Sequence, residues 1–225
     1  MKKLIVSATL IFFLHALIFS FQTASAQDVN DIPRGSFGFG VRSTGSVFLG
    51  DNASGFGAGG QHKIIFAHRV NSEWFLDYMN SSAGNNGYRK DTHIGWSVQF
   101  ALNKSGYQTH KLIPFIEAGQ CFDWTKVGFV DTLISFNWIV PEYPREVGPI
   151  FSIATQAGTG ISYFPTSRIE LCGEIQYMIH LTKDVNLLFD NSNVAYAISQ
   201  EDGTSFDGHI LGTISFTYYL FQKKS

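Results

Sequence analysis

IELCGEIQYMIHL, Ile169 to Leu181, is the stretch on which the fold turns. One parity carries Ile169, Leu171, Ile175, Tyr177, Ile179 and Leu181. The other carries Glu170, Cys172, Glu174, Gln176, Met178 and His180. Successive side chains of a strand point to opposite faces, so a period of two marks an extended segment. Wound as a helix, the same glutamates would scatter around the circumference. The stretch is therefore a strand with one apolar and one polar face.

The same two faces recur along the chain. In DTHIGWSVQFAL, Ile94, Trp96, Val98 and Phe100 oppose His93, Gly95, Ser97, Gln99 and Ala101. In LIPFIEAGQCFDW, Leu112, Ile116, Ala118, Phe122 and Trp124 oppose Glu117, Gly119, Cys121 and Asp123. SEWFLDYM sets Trp74, Leu76 and Tyr78 against Glu73 and Asp77. HILGTISFTYYLF sets Ile210, Ile214, Phe216, Tyr218 and Leu220 against Thr213, Ser215 and Thr217. Weaker alternation covers Ser36–Ser43, Phe56–Ala67 and Ser152–Phe164. These make eight strands, an even number, as a closed antiparallel barrel needs. Short links fall near 68–71, 103–111 and 165–168, and long ones span 44–55, 80–90, 125–151 and 182–207. Short turns on one rim and long loops on the other are the pattern of an outer-membrane barrel, with both termini on the periplasmic side.

Composition points the same way. Only 15% of the 225 residues are charged, 15% are aromatic and 22 are glycine. Soluble domains carry about 25% charged residues. After Phe21 no run is long and apolar enough for a membrane helix. Lys2 and Lys3, the apolar run Leu4–Phe21 and the small residues Ala24 and Ala26 predict a signal peptide cleaved after residue 26. Residues 27–225 then form one barrel domain of 199 residues with 14 basic and 18 acidic side chains. No basic stripe or tail suggests a nucleic-acid partner. A lipocalin-type barrel would alternate too, but its second face meets water and carries Lys and Glu. Here that face is rich in Gly, Ser, Gln and Ala, which suits a crowded lumen. The expected fold is all-β, an eight-stranded antiparallel up-and-down transmembrane β-barrel.

With its leader, strand-and-loop rhythm and the ending GTISFTYYLF, the chain from Ser36 to Phe221 resembles the small outer-membrane barrels of the OmpA/OmpX type found in Gram-negative bacteria. The resemblance implies outer-membrane lipids and the barrel-assembly machinery as partners, and the cell outer membrane as location. No separate periplasmic OmpA-like domain is expected, since little chain precedes Ser36 or follows Phe221. The last strand, with Ile214, Phe216, Tyr218, Leu220 and Phe221, would be the signal read by that machinery. One departure is the tail QKKS after Phe221, where family members often stop at the aromatic.

Eight strands leave room only for side chains. Arg42 and Lys63 are therefore expected to pair in the lumen with Glu73, Asp77, Glu117, Asp123, Glu170 and Glu174 as a structural network. The alternative is a narrow, acidic, cation-favouring path. Asp77, His93 and Asp123 fall near the outer ends of neighbouring strands and all face inward. Such a cluster can bind a metal or hold a proton, but more often it is part of a lumen network. No metal or other cofactor is expected. Ser97 lies four residues from His93 on one strand, about 13 Å away, beyond reach of proton transfer, so no triad forms and no enzyme motif remains. Cys121 and Cys172 lie on strands that are not neighbours and are expected to be free thiols. The loop VGFVDTLISFNWIVPEYPREVGPIF, with Phe129, Phe136, Trp138 and Tyr143, is unusually apolar. Part of it is expected either to extend strand five beyond the membrane or to pack over the barrel mouth, and it is also the candidate docking surface for another outer-membrane protein. The function expected is non-enzymatic: structural, adhesive or complex-forming. A small porin and a lipid-modifying enzyme are the alternatives.

Overall fold

The computed structural model describes residues 32–49, 53–130, 146–203 and 208–221. The leader expected over residues 1–26, the loop residues Phe136, Trp138 and Tyr143, and the tail after Phe221 lie outside them. The strands are β1 (Phe37–Phe48), β2 (Ala53–Ala67), β3 (Val70–Ala83), β4 (Gly87–Ala101), β5 (Leu112–Phe129), β6 (Glu146–Thr166), β7 (Ile169–His180), β8 (Lys183–Phe189), β9 (Ala195–Asp202) and β10 (His209–Phe221). Eight close into an antiparallel barrel in the order β1-β10-β7-β6-β5-β4-β3-β2, while β8 and β9 form a separate hairpin. That hairpin is inserted in the connection from β7 to β10. No helix among the described residues is long and apolar enough to cross a membrane.

The register fixes the barrel's dimensions. Following paired residues once around the wall from His180 leads through Ala154, Cys121, Gly95, Phe75, Gln61, Gly40 and Thr217 back to β7 at Glu170. The circuit returns ten residues lower on its starting strand, a shear of ten for eight strands. Such a stagger tilts the strands by roughly 40° and gives a radius of roughly 8 Å, enough for side chains but not for an open pore.

The alternation read from the sequence is the alternation of the wall. Glu170, Cys172, Glu174, Gln176, Met178 and His180 are buried, while Leu171, Ile175 and Tyr177 point out. Val41, Phe56, Leu76, Tyr78, Ile116, Phe122, Ile161 and Ile214 join them, Ile214 being 75% exposed. So large an apolar band is at rest only against lipid. Barrel closure is what makes it compatible with the bilayer, since every strand edge is paired. Trp74 and Trp96 face each other across β3 and β4 with ring centroids 6.4 Å apart. They lie four residues above the Val70–Phe100 pair, about 10 Å higher along the wall. Trp74 is thus not at the level of Phe100, although both lie toward the short-turn end of their strands.

All four connections expected as long loops carry strand. β1 runs on to Phe48 and β2 starts at Ala53, so residues 44–55 are mostly wall. Thr44, Ser46, Phe48 and Ala53 keep the inward parity and are buried. β3 and β4 likewise reach Ala83 and Gly87. Gly- and Ser-rich sequence reads as turn, yet on a barrel wall small residues are what neighbouring strands can pack against. β5 and β6 reach Phe129 and Glu146, and residues 182–207, expected as loop, contain the β8–β9 hairpin.

Candidate functional site

β5 alone displays how the lumen is filled. From the short-turn rim upward its buried residues are Ile113, Phe115, Glu117, Gly119, Cys121, Asp123, Thr125, Val127 and Phe129. Apolar, charged, apolar, charged and apolar levels follow one another, and the other strands complete each level.

At the short-turn rim, Ile65, Ala101, Ile113, Phe164 and Tyr219 pack with Tyr107 from the β4–β5 turn and Ile32 from the segment before β1. Ile32 is tied there by its backbone N–H, which donates to the Tyr107 carbonyl at 2.9 Å. Above this seal lies the charged level. Arg42 reaches Glu73, stands 3.2 Å from Glu174 Oε1 and 3.1 Å from Asp77 Oδ2. Lys63 Nζ bridges Glu73 and Glu170 at 3.1 and 3.2 Å. Gln99 Nε2 donates to Glu73 at 2.9 Å and Glu117 at 3.2 Å, and Gln176 Nε2 donates to Glu117 at 3.0 Å. Tyr219 OH donates to Glu170 at 2.7 Å. Two cations thus face five carboxylates, and amides and hydroxyls supply the remaining donors.

Local shape permits this crowding. The Arg42 guanidinium lies over the Phe75 ring, 4.3 Å from its centre. Gly95 provides the space that ring occupies, and Gly59 leaves room for the Asp77 carboxylate, which a Cβ at that position would strike. Ser97 donates to Glu117 at 3.3 Å, so this hydroxyl belongs to the charged level, away from His93.

Phe75, Met79, Cys121, Ala154, Met178 and Leu211 form the next apolar level. Cys121 and Cys172 are both free and buried. Above them lies a second polar cluster. Register places Asp77 opposite His93 and His93 opposite Asp123, so the three residues singled out in the sequence do stand side by side. Their side chains part company, however. Asp77 turns down to Arg42, and Asp91 takes its place beside His93 and Asp123. His180 Nε2 stands 3.0 Å from Asp123 and its Nδ1 stands 3.2 Å from Asp184. The His209 ring meets that of His180 at 4.7 Å, edge to face. Arg89 spans to the hairpin, donating to Asp91 at 3.0 Å and to the Val185 carbonyl at 3.0 Å.

The hairpin closes the top. Val185, Leu187 and Ala195 pack on Phe48, Ala53, Ala83, Val127 and Phe129 at the upper ends of the barrel strands. Phe129 ends β5 and is buried under this cap, so the start of the apolar loop extends strand five rather than offering Phe129 to a partner. Asn86 clasps the hairpin, accepting from the Ala195 N–H at 2.7 Å. Asp184 lies on β8 above the barrel wall. Burial alone would raise its carboxyl, but the His180 ring and the Arg89 charge outweigh burial and hold it below the usual carboxylate value.

Sequence reasoning placed nine charged residues in the lumen: Arg42, Lys63, Glu73, Asp77, His93, Glu117, Asp123, Glu170 and Glu174. All are buried there. It missed Arg89, Asp91 and His209, which lay in segments taken as loop or at strand ends. Their parity would have shown them facing inward. Of the aromatic ending, Ile214, Phe216, Tyr218 and Leu220 point to the lipid side, and Phe221 closes β10.

No protein-family model matches the chain, and no curated protein sequence matches it. Solved structures do match in shape. Neisserial surface protein A superposes with a TM-score of 0.54 at 11% identity, over 82% of this chain and 97% of that one. A major outer membrane protein from Thermus thermophilus gives 0.53 at 9% identity, covering 82% and 100%. The outer membrane protein OprG of Pseudomonas aeruginosa gives 0.52 at 16% identity, covering 86% and 99%. At such identities the likeness is one of fold, and with the lipid-facing band it makes this chain a small eight-stranded transmembrane β-barrel similar in shape to those outer-membrane proteins.

Proposed function

We propose that this protein is a non-enzymatic outer-membrane barrel, delivered by a leader removed after residue 26, that acts through what it presents at the hairpin rim. The observation that carries this reading is the filled lumen, closed by an apolar level at each end. A sealed barrel transports nothing through itself, so its working surface is its outside. The charged level then serves to lock the wall, and the hairpin and neighbouring loops meet a partner. Leu188 and Tyr196 stand exposed on that hairpin, 43% and 55% accessible. A photoreactive residue at either position in intact cells should give discrete protein or lipid adducts that disappear when residues 183–202 are replaced by a short flexible link. An adduct-free barrel at both positions counts against a docking role.

The channel reading draws on the excess of carboxylates over cations in the charged level. Planar-bilayer recordings separate the two, since cation-selective steps from the folded barrel would displace the sealed reading. The enzyme reading has less support, because His93, Asp91 and Asp123 are all closed off from solvent beneath the cap.

A further inference from the structure

We propose that Asp91, His93 and Asp123 form a buried divalent-cation site beneath the β8–β9 hairpin. Each offers one donor atom, and the three atoms lie within 4.8 Å of one another. All three side chains are sealed from solvent. What sets this cluster apart from other neighbouring acidic groups is which of its atoms are left without a hydrogen bond.

Arg89 Nε donates to Asp91 Oδ1 at 3.0 Å, and Thr125 Oγ1 lies 2.8 Å from that same oxygen. On Asp123, Oδ2 faces Thr125 Oγ1 and His180 Nε2, each at 3.0 Å. The opposite oxygens, Asp91 Oδ2 and Asp123 Oδ1, have no hydrogen bond among the described residues, nor has either ring nitrogen of His93. A fully buried imidazole with both nitrogens unbonded is costly, because burial without a partner forfeits its hydration. Yet His93 Nε2 stands only 3.4 Å from Asp123 Oδ1. Two donor atoms this close and not aimed at each other converge on a third point. Ligands on a tetrahedral zinc, with bonds of about 2.0 Å, stand about 3.3 Å apart.

Charge supplies an independent reason. Among the described residues the cluster holds three carboxylates, Asp91, Asp123 and Asp184, against one guanidinium, Arg89. Asp77 is committed to Arg42 below. Both ring nitrogens of His180 face carboxylates, at 3.0 and 3.2 Å, so this imidazole joins Arg89 in offsetting them, and one carboxylate is left over for a bound cation. One imidazole and two carboxylates are a nitrogen–oxygen set, suited to Zn²⁺ and its borderline neighbours and unsuited to Cu(I). Arg89 and His180 link the same carboxylates to Val185 and Asp184 on β8, so the cation would fasten the cap to the barrel.

The test uses the mature barrel, refolded in detergent and stripped with chelator. Titrated with Zn²⁺ at micromolar concentration, it should retain one equivalent through gel filtration, and Co²⁺ should give visible ligand-field bands. His93→Ala and Asp91→Asn should each lower retention at least tenfold. His62→Ala, whose ring lies on the outer wall against Trp74, should leave it unchanged. Heat-modified gel migration verifies folding of each variant. If a variant does not fold, the wild-type Co²⁺ spectrum decides alone. A folded wild type without retained Zn²⁺ or Co²⁺ bands overturns the proposal, as does retention that survives both variants. Imidazolium NMR signals from His93 and His180 in a barrel that takes up no metal would show protons filling the role instead, and would equally overturn it.

Discussion

At the scale of single residues, the lumen is governed by the cost of a buried charge that loses its partner. Arg42 touches three carboxylates and lies over an aromatic ring. Arg42→Ala should therefore destabilise the barrel by about 3–5 kcal/mol, because Glu73, Asp77 and Glu174 stay buried without it. Urea unfolding in lipid vesicles measures this. A loss under about 1 kcal/mol would mean that water or protons readily replace the guanidinium. Gly59→Ala should also destabilise, since a Cβ there meets the Asp77 carboxylate and the Leu76 carbonyl. Asp184 gives a pH dependence above the membrane. Its folded carboxyl lies below the unfolded value, so its contribution is present above about pH 4 and is lost as pH falls through the folded value. Asp184→Asn should remove that acid-side loss of hairpin protection, read by hydrogen exchange of β8 at about pH 3 and about pH 6. The facing of these residues was legible from alternation. Their height was not, because height depends on the shear, and a shear of ten shifts neighbours across the wall in ways that spacing along one strand cannot reveal. Side-chain direction is a second unread quantity: register does set Asp77 opposite His93, but its carboxylate turns to Arg42 and leaves the place to Asp91.

At the scale of elements, barrel strands and the cap hairpin obey different rules. A wall strand is half in lipid, so its alternation is strong and the sequence shows it, as Ile169–His180 does. β8 is seven residues long, with Asp184 and Val185 both buried, and its partner β9 opens on Ala195. Its period is blurred because it packs on the barrel mouth on one side and meets water on the other. Leu187 is its anchor, buried among Phe48, Val127 and Phe129. Leu187→Ser should release the cap at a cost of about 2–4 kcal/mol. Limited proteolysis should then cut within 183–202 while the barrel keeps its heat-modified gel shift. Loss of the shift would mean that the hairpin is needed for the wall itself. β10 makes a separate prediction. Its Phe216 and Tyr218 face the lipid side, with only an exposed Arg168 guanidinium donating to the Tyr218 hydroxyl at 3.3 Å, so alanine at both should lower the assembled fraction in cells severalfold. Folding into detergent in vitro should change little if they act as an assembly signal, and equal losses in both settings would assign them to stability alone.

At the scale of the whole molecule, the layered lumen decides what the barrel can do. A water path would have to cross the Tyr107–Phe164–Tyr219 seal, the Arg42–Lys63 network, the Met79–Met178 level and the hairpin cap in turn. Each apolar level alone opposes ions, because moving a bare charge through it costs several kcal/mol, and the charged level fills the lumen with paired side chains. Removing one should therefore leave the barrel closed. Wild type and a variant with residues 183–202 replaced by a short link should both be silent in planar bilayers at high salt. Adding Tyr107→Ala and Phe164→Ala to the shortened variant opens both apolar ends but leaves the charged level spanning the lumen, so conductance should stay below that of any open porin. Acidic carboxylates in excess over Arg42 and Lys63 would make any residual current cation-selective. Large steps on removing the hairpin alone would show that the charged level is a conduit, and the cap its gate.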